Sequence, residues 1–304
     1  MDYIICTRNA QGGLFRNEPG TTTYLEVPES AEDFLPSHKI SVSDFLRKII
    51  DSQNEDILIY IHGYNMTVKQ TLQRHRTLRS GLEKQGFKGD IITFAWPSGN
   101  NTLMYLEDRH DAKTVSMELV NSAIKLLAKQ QGKNCTINVH VLAHSTGAFI
   151  INEAFEDAET TKSTAEVNWS VAQLLFIGGD VSSDSLSEAR GVKVYRHCNR
   201  LTNYFSPYDV ALAVSNVKRV GAKNRVGRVG LPADSPSKAV DVDCGPYYLK
   251  NKDKIKVIDG EPTHSWYFYS EEWMRDAYET IALKIDRSVI STRETTDGEH
   301  RLKI

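Results

Sequence analysis

No run of eighteen apolar residues occurs in the chain, and its opening, Met1-Asp2-Tyr3-Ile4-Ile5-Cys6-Thr7-Arg8, has no basic stretch followed by a long apolar one. A membrane-spanning helix and a secretory leader are therefore not expected, and the protein reads as soluble and cytoplasmic, without stable membrane insertion. Cysteine is scarce and scattered. Cys6, Cys135, Cys198 and Cys244 form no C-x-x-C pair and no zinc-like spacing, so free thiols in a reducing compartment are expected, and no metal site. Excess charge of one sign is missing too. Lys and Arg total 37 against 39 Asp and Glu, which leaves no field to hold nucleic acid; a small-molecule substrate fits better. The patterns G-x-x-x-x-G-K-S/T, G-x-G-x-x-G and H-E-x-x-H are also absent, which argues against NTP hydrolysis, dinucleotide binding and zinc-protease chemistry, and no cofactor is required.

What is present fits one large core. Of 304 residues, 40% are apolar and 25% charged, as in ordinary globular chains. A single α/β domain is expected over 1–285, followed by a polar tail over 286–304. Tyr3–Thr7 and Thr22–Val27 read as short edge strands either side of the turn-rich 9–20 segment, and a Ser43-led amphipathic helix follows. Ile57–Ile61 is wholly apolar, the mark of a strand covered on both faces. Helices over Thr67–Gln85, Leu106–Lys129 and from Ala148 then alternate with strands over Ile91–Ala95, Ile137–Leu142, Leu174–Gly178 and Val192–His197. That alternation predicts a doubly wound, mostly parallel sheet, since parallel neighbours need crossover helices. Residues 210–254 read as an inserted hairpin or loop long enough to act as a lid, before a last strand, Ile255–Ile258, and a helix over Glu271–Lys284.

Within this frame Val139-His140-Val141-Leu142-Ala143-His144-Ser145-Thr146-Gly147 reads as strand, tight turn and helix. It matches the nucleophile elbow G-x-S-x-G with Ala143 in the first glycine position. Outside that context Ser145 would be a plain helix N-cap. Upstream, His62-Gly63-Tyr64-Asn65 directly follows the first buried strand, where such hydrolases place the second oxyanion donor. The amides of Tyr64 and Thr146 are therefore the candidate oxyanion hole.

A serine hydroxyl needs a base, and His264, between the last strand and last helix, has the required late position. His144 adjoins the serine but leaves the turn on another side, and is expected to pack or hydrogen-bond structurally. For the carboxylate that orients the base, Asp209 is favoured and Asp180 is the alternative. Asn65 is taken as substrate-binding; Trp96, with Pro97, either lines the acyl pocket or closes the core.

These segments, with Phe94-Ala95-Trp96-Pro97-Ser98, Asp180 at its strand end, Ser206-Pro207-Tyr208-Asp209-Val210-Ala211-Leu212 and His264-Ser265, together resemble the bacterial α/β hydrolases grouped as domain of unknown function 900, which are esterase- or lipase-like. The likeness covers roughly residues 50–275. Thr146 stands where that family usually has methionine, and Ala148 where it has asparagine. The resemblance implies an α/β-hydrolase fold with Ser145, Asp209 and His264 as triad, and it brings no substrate. Carboxylic-ester hydrolysis through an acyl-enzyme is the expectation. Amidase, thioesterase and acyltransferase chemistry use the same residues, and a catalytically silent binding module is the rival from another class. Oligomeric state is not readable from the chain.

Overall fold

The computed structural model describes residues 1–52, 54–99, 105–128, 137–160, 169–217, 224–282, 285 and 289–304. Its strands are β1 (Asp2–Gln11), β2 (Leu14–Val27), β3 (Lys39–Ile40), β4 (Asp56–Ile61), β5 (Asp90–Ala95), β6 (Asn138–His144), β7 (Val171–Ile177), β8 (Cys198–Phe205), β9 (Ala239–Asp243), β10 (Arg293–Thr296) and β11 (Glu299–Leu302). They form one sheet in the order β10-β11-β9-β8-β7-β6-β4-β5-β1-β2-β3. All pairings from β11 to β1 are parallel; only β10, β2 and β3 join antiparallel. This is the α/β class expected.

Alternate residues of the central strands serve two cores. Ile57, Ile59, Ile61, Val139, Val141 and Ala143 face one side, packed with Phe45 and Ile49 of α1 (Val42–Asp51), Val115 of α3 (Tyr105–Glu118), and Ile150 and Phe155 of α5 (Thr146–Thr160). Between α3 and α5 the chain passes through a π-helical turn, Leu119–Ile124, and α4 (Lys125–Ala128). Leu58, Tyr60, Leu142 and Leu175 face the other side, with Leu78 and Leu82 of α2 (Val68–Lys84). Covering both faces is why these strands read as unbroken apolar runs.

Several expectations need correction. β1 is an interior strand rather than an edge, pairing in parallel with β5, and the hairpin turns only at Gly12-Gly13, where φ is 59° and 75°. Ser41, not Ser43, caps α1 by accepting the Asp44 N–H at 3.0 Å. Val192–Arg196 is a helical turn, α6, with neighbouring Val194 and Tyr195 buried and Val192 exposed. The strand comes after it, as β8, and was hidden by Thr202 and Asn203, which are buried in it; the Asn203 amide nitrogen donates to Asp241 Oδ1 at 2.7 Å.

The described residues of 210–254 form regular elements rather than a hairpin or irregular loop. They contain α7 (Val210–Val217), α8 (Val226–Val229), sheet strand β9 and α9 (Gly245–Asn251). Ile255–Ile258 is not a strand. It leads to the short α10 (Pro262–Ser265) and then to α11 (Glu271–Ala282). The polar tail is structural: β11 extends the sheet beside β9, and Arg293 is buried against Asp276 of α11. Cys135, residues 129–136 and 283–284 lie outside the described residues. No helix among the described residues is long and apolar enough to cross a membrane.

Candidate active site

Chain order reverses about β4, whose neighbours are β5 on one side and β6 on the other, and a crevice opens above the carboxyl ends of strands at such a point. Four segments leave the sheet there: 62–66 after β4, the bend at Ser145 after β6, 178–180 after β7 and 206–209 after β8.

Ser145 sits on the bend between β6 and α5 with φ 56°, a left-handed conformation that L-residues adopt at a cost of about 1–3 kcal/mol. The bend closes because its neighbours are small. A Cβ on Gly147 would lie 2.6 Å from the Ile61 carbonyl oxygen, and one on Gly63 would lie 2.9 Å from Ser145 Cβ. Thr146 opens α5, so its amide is among the first-turn N–H groups that a helix leaves without an internal acceptor. The Ser145 carbonyl accepts the Asp180 N–H at 2.9 Å, tying the bend to the end of β7.

His264 is buried, and its Nδ1–H donates to Asp209 Oδ2 at 2.6 Å. Asp209 is fully buried, and its Oδ1 accepts the Leu212 N–H at 2.9 Å, so the carboxylate also caps α7. A second stitch joins the two loops, since Thr263 Oγ1 accepts the Val210 N–H at 2.9 Å. Asp180, the alternative partner, is engaged instead by the buried Arg225, Nε to Oδ1 3.2 Å. Burial pushes the His264 pKa down, but the Asp209 charge and hydrogen bond outweigh it, with Asp180 and Glu261 adding, and the net shift is upward. Ser145 and His264 line the same cavity of about 510 Å³ without hydrogen-bonding each other.

His144 is a brace, as expected. Its Nε2–H donates to the His264 carbonyl at 3.1 Å, and the two rings lie 4.6 Å apart. Burial, followed by the neighbouring His264 and Arg74 charges, holds its pKa well below the usual range, so it stays neutral.

The loop carrying Tyr64 is fixed from beneath. His62 Nδ1–H donates to the Gly63 carbonyl at 2.7 Å, and its Nε2 accepts the Trp96 amide at 3.2 Å, a neutral tautomer whose pKa burial, with Arg8 nearby, lowers to about 3. The Trp96 indole donates to the His62 carbonyl at 2.8 Å and stacks on the ring. Ser98 Oγ accepts the Met66 amide at 3.1 Å. Trp96 is thus a fully buried support and does not line the cavity, whereas Tyr64 and Asn65, the latter at φ 59°, do.

Sequence reasoning missed two contributors. Gly178, at φ 51°, lies against the His264–Asp209 pair, and a Cβ there would sit 3.0 Å from the His264 ring and 3.3 Å from Asp209 Oδ2. The Gly178-Gly179 pair at a strand end was the available signal. Arg228 of α8 donates to the Asp209 carbonyl at 2.6 Å, a partnership no local pattern announces. Among the described residues no cluster of His, Cys, Asp and Glu has the makings of a metal site.

Residues 38–258 match the family described as "Alpha/beta hydrolase of unknown function (DUF900)". The chain belongs to the DUF900 family. The matched span takes in the 62–66 loop, Ser145, Asp180 and Asp209, and ends shortly before His264. A curated relative, the uncharacterized protein alr1448 of Nostoc sp., is 29% identical over 133 residues, 34% of this chain and 34% of that one. The DUF900 chain therefore spans about a third of the length of that relative. Among solved structures, a lipase-esterase related protein from Clostridium acetobutylicum aligns with TM-score 0.27 and 15% identity over 63% of this chain and 75% of its own. A likeness that slight says nothing about chemistry.

Proposed function

We propose that this DUF900 protein is a serine hydrolase that cleaves carboxylic esters through an acyl-enzyme on Ser145. The observation that carries the reading is the shared cavity, lined both by a serine on a left-handed bend and by an imidazole whose Nδ1 is bonded to a buried carboxylate. His264 Nε2 takes the Ser145 proton as the oxygen attacks the ester carbonyl, and Asp209 stabilises the resulting imidazolium. The Tyr64 and Thr146 amides hold the oxyanion; removing one such donor typically costs about 3 kcal/mol in the barrier. Collapse of the tetrahedral species expels the alcohol, which takes the proton from His264. Water, deprotonated by the same imidazole, then releases the acid and restores the serine.

A fluorophosphonate probe tests this directly. Adduct formation on Ser145, seen by peptide mass spectrometry, is expected in the native chain and not in Ser145→Ala. A folded native protein that takes no label on Ser145 would contradict the assignment.

A further inference from the structure

The cavity beside Ser145 has one apolar wall. Val210, Ala211, Leu212 and Val214, all from the first turns of α7, line it, with Met66 contributing from the loop after β4. Some polar side chains elsewhere around it are engaged within the chain, while Arg74 Nε and Nη1 and Thr146 Oγ1 are buried without a hydrogen-bond partner. Arg74 is bonded to Asp259 at 2.6 Å and lies over the Phe268 ring, Asp180 is paired with Arg225, and Gln70 caps the N-terminus of α2. Glu261 accepts the Thr263 hydroxyl. An apolar substrate group laid against the α7 wall would exchange water for carbon, whereas a charged one there would lose water against aliphatic side chains. At about 510 Å³ the space exceeds what a small acyl group such as acetyl fills.

The apolar surface also continues outward. Val210 and Val214, one helical turn apart, are 50% and 47% exposed, and Tyr208 just before them is 42% exposed. A stripe that begins inside the cavity and ends in solvent is suited to a chain longer than the cavity.

We infer that α7 is the acyl-binding wall, and that the substrates are esters whose acyl group is a medium-length alkyl chain laid along Val210 and Val214. This rests on the serine-hydrolase reading. The helix that carries the chain is the one Asp209 caps, so binding side and acid share one element.

The test measures kcat/KM on chromogenic acetyl, butyryl, hexanoyl and octanoyl esters and on a succinyl monoester, after fluorophosphonate labelling of Ser145 has been scored on the same preparation. Each added methylene that reaches the wall is expected to raise kcat/KM by up to about fourfold. Val214→Asp is expected to lower the hexanoyl-to-acetyl ratio by roughly tenfold, with Val214→Ala intermediate, because a carboxylate there opposes desolvation. Val289→Asp, an exposed change away from the cavity, should leave the ratio unaltered. Because a ratio is read, loss of some folded protein in a variant does not mimic the effect. Label on Ser145 with a flat or acetyl-favouring profile, a profile unchanged in Val214→Asp, or succinyl ester turned over as fast as butyryl would each overturn the inference while leaving the hydrolase reading intact. Absence of label overturns both.

Discussion

At the residue scale, the arrangement turns on one hydrogen bond between two buried side chains, His264 Nδ1–H to Asp209 Oδ2 at 2.6 Å. A base must be unprotonated to accept the serine proton, so an imidazole pKa raised above its ordinary 6.5 predicts kcat/KM that falls as pH drops through that raised value. Asp209→Asn removes the charge that raises it. Activity is expected to drop by about four orders of magnitude, by analogy with the buried acid of known Ser-His-Asp enzymes, and the residual acid limb should move to lower pH. A pH profile of kcat/KM for both proteins checks the direction of the move. A limb shifted to higher pH would mean that Asp209 does not set the base.

At the scale of elements, the site is a set of short connections held by neighbours from distant parts of the chain. The loop after β4 owes its shape to Trp96 and Ser98 after β5, and the His264 turn owes its place to Thr263 and His144. Trp96→Phe keeps the aromatic packing but deletes the indole N–H, leaving the His62 carbonyl buried without that donor. A stability loss of about 1–3 kcal/mol is expected from the orphaned acceptor, read by denaturant titration. If the loop positions the Tyr64 amide, kcat should fall more than KM rises; an unchanged kcat would show that the loop holds its shape without the indole.

At the scale of the whole molecule, the sheet does not stop where the segments of the candidate site do. The β10–β11 hairpin closes one edge and is pinned by Arg293 to Asp276, both fully buried, with Tyr204 OH, Thr280 and Thr292 completing the network. Arg293→Ala would strand a buried carboxylate, and a destabilisation of about 3–5 kcal/mol is expected, seen as a lowered melting temperature. Truncation at residue 285 should be at least as damaging, since it also exposes β9 as a bare edge. A truncated chain as stable as the native one would show that the hairpin is an ornament on the sheet.

Much of this could be read from local pattern. Unbroken apolar strands alternating with helices announced a parallel sheet, and small residues around Ser145 announced a sharp bend, because period and steric allowance depend on a few neighbouring residues. Trp96, β8 and the C-terminal hairpin could not be read that way. A buried indole is the same letter whether it meets a substrate or a backbone carbonyl, and Asn203 looks like a loop residue until Asp241 stands beside it. The choice between Asp209 and Asp180 as the partner of His264 was likewise left to packing, which set one carboxylate against the imidazole and the other against Arg225. Such partnerships join groups dozens of residues apart, and an energy that exists only when distant segments meet leaves no trace in the order of residues near either one.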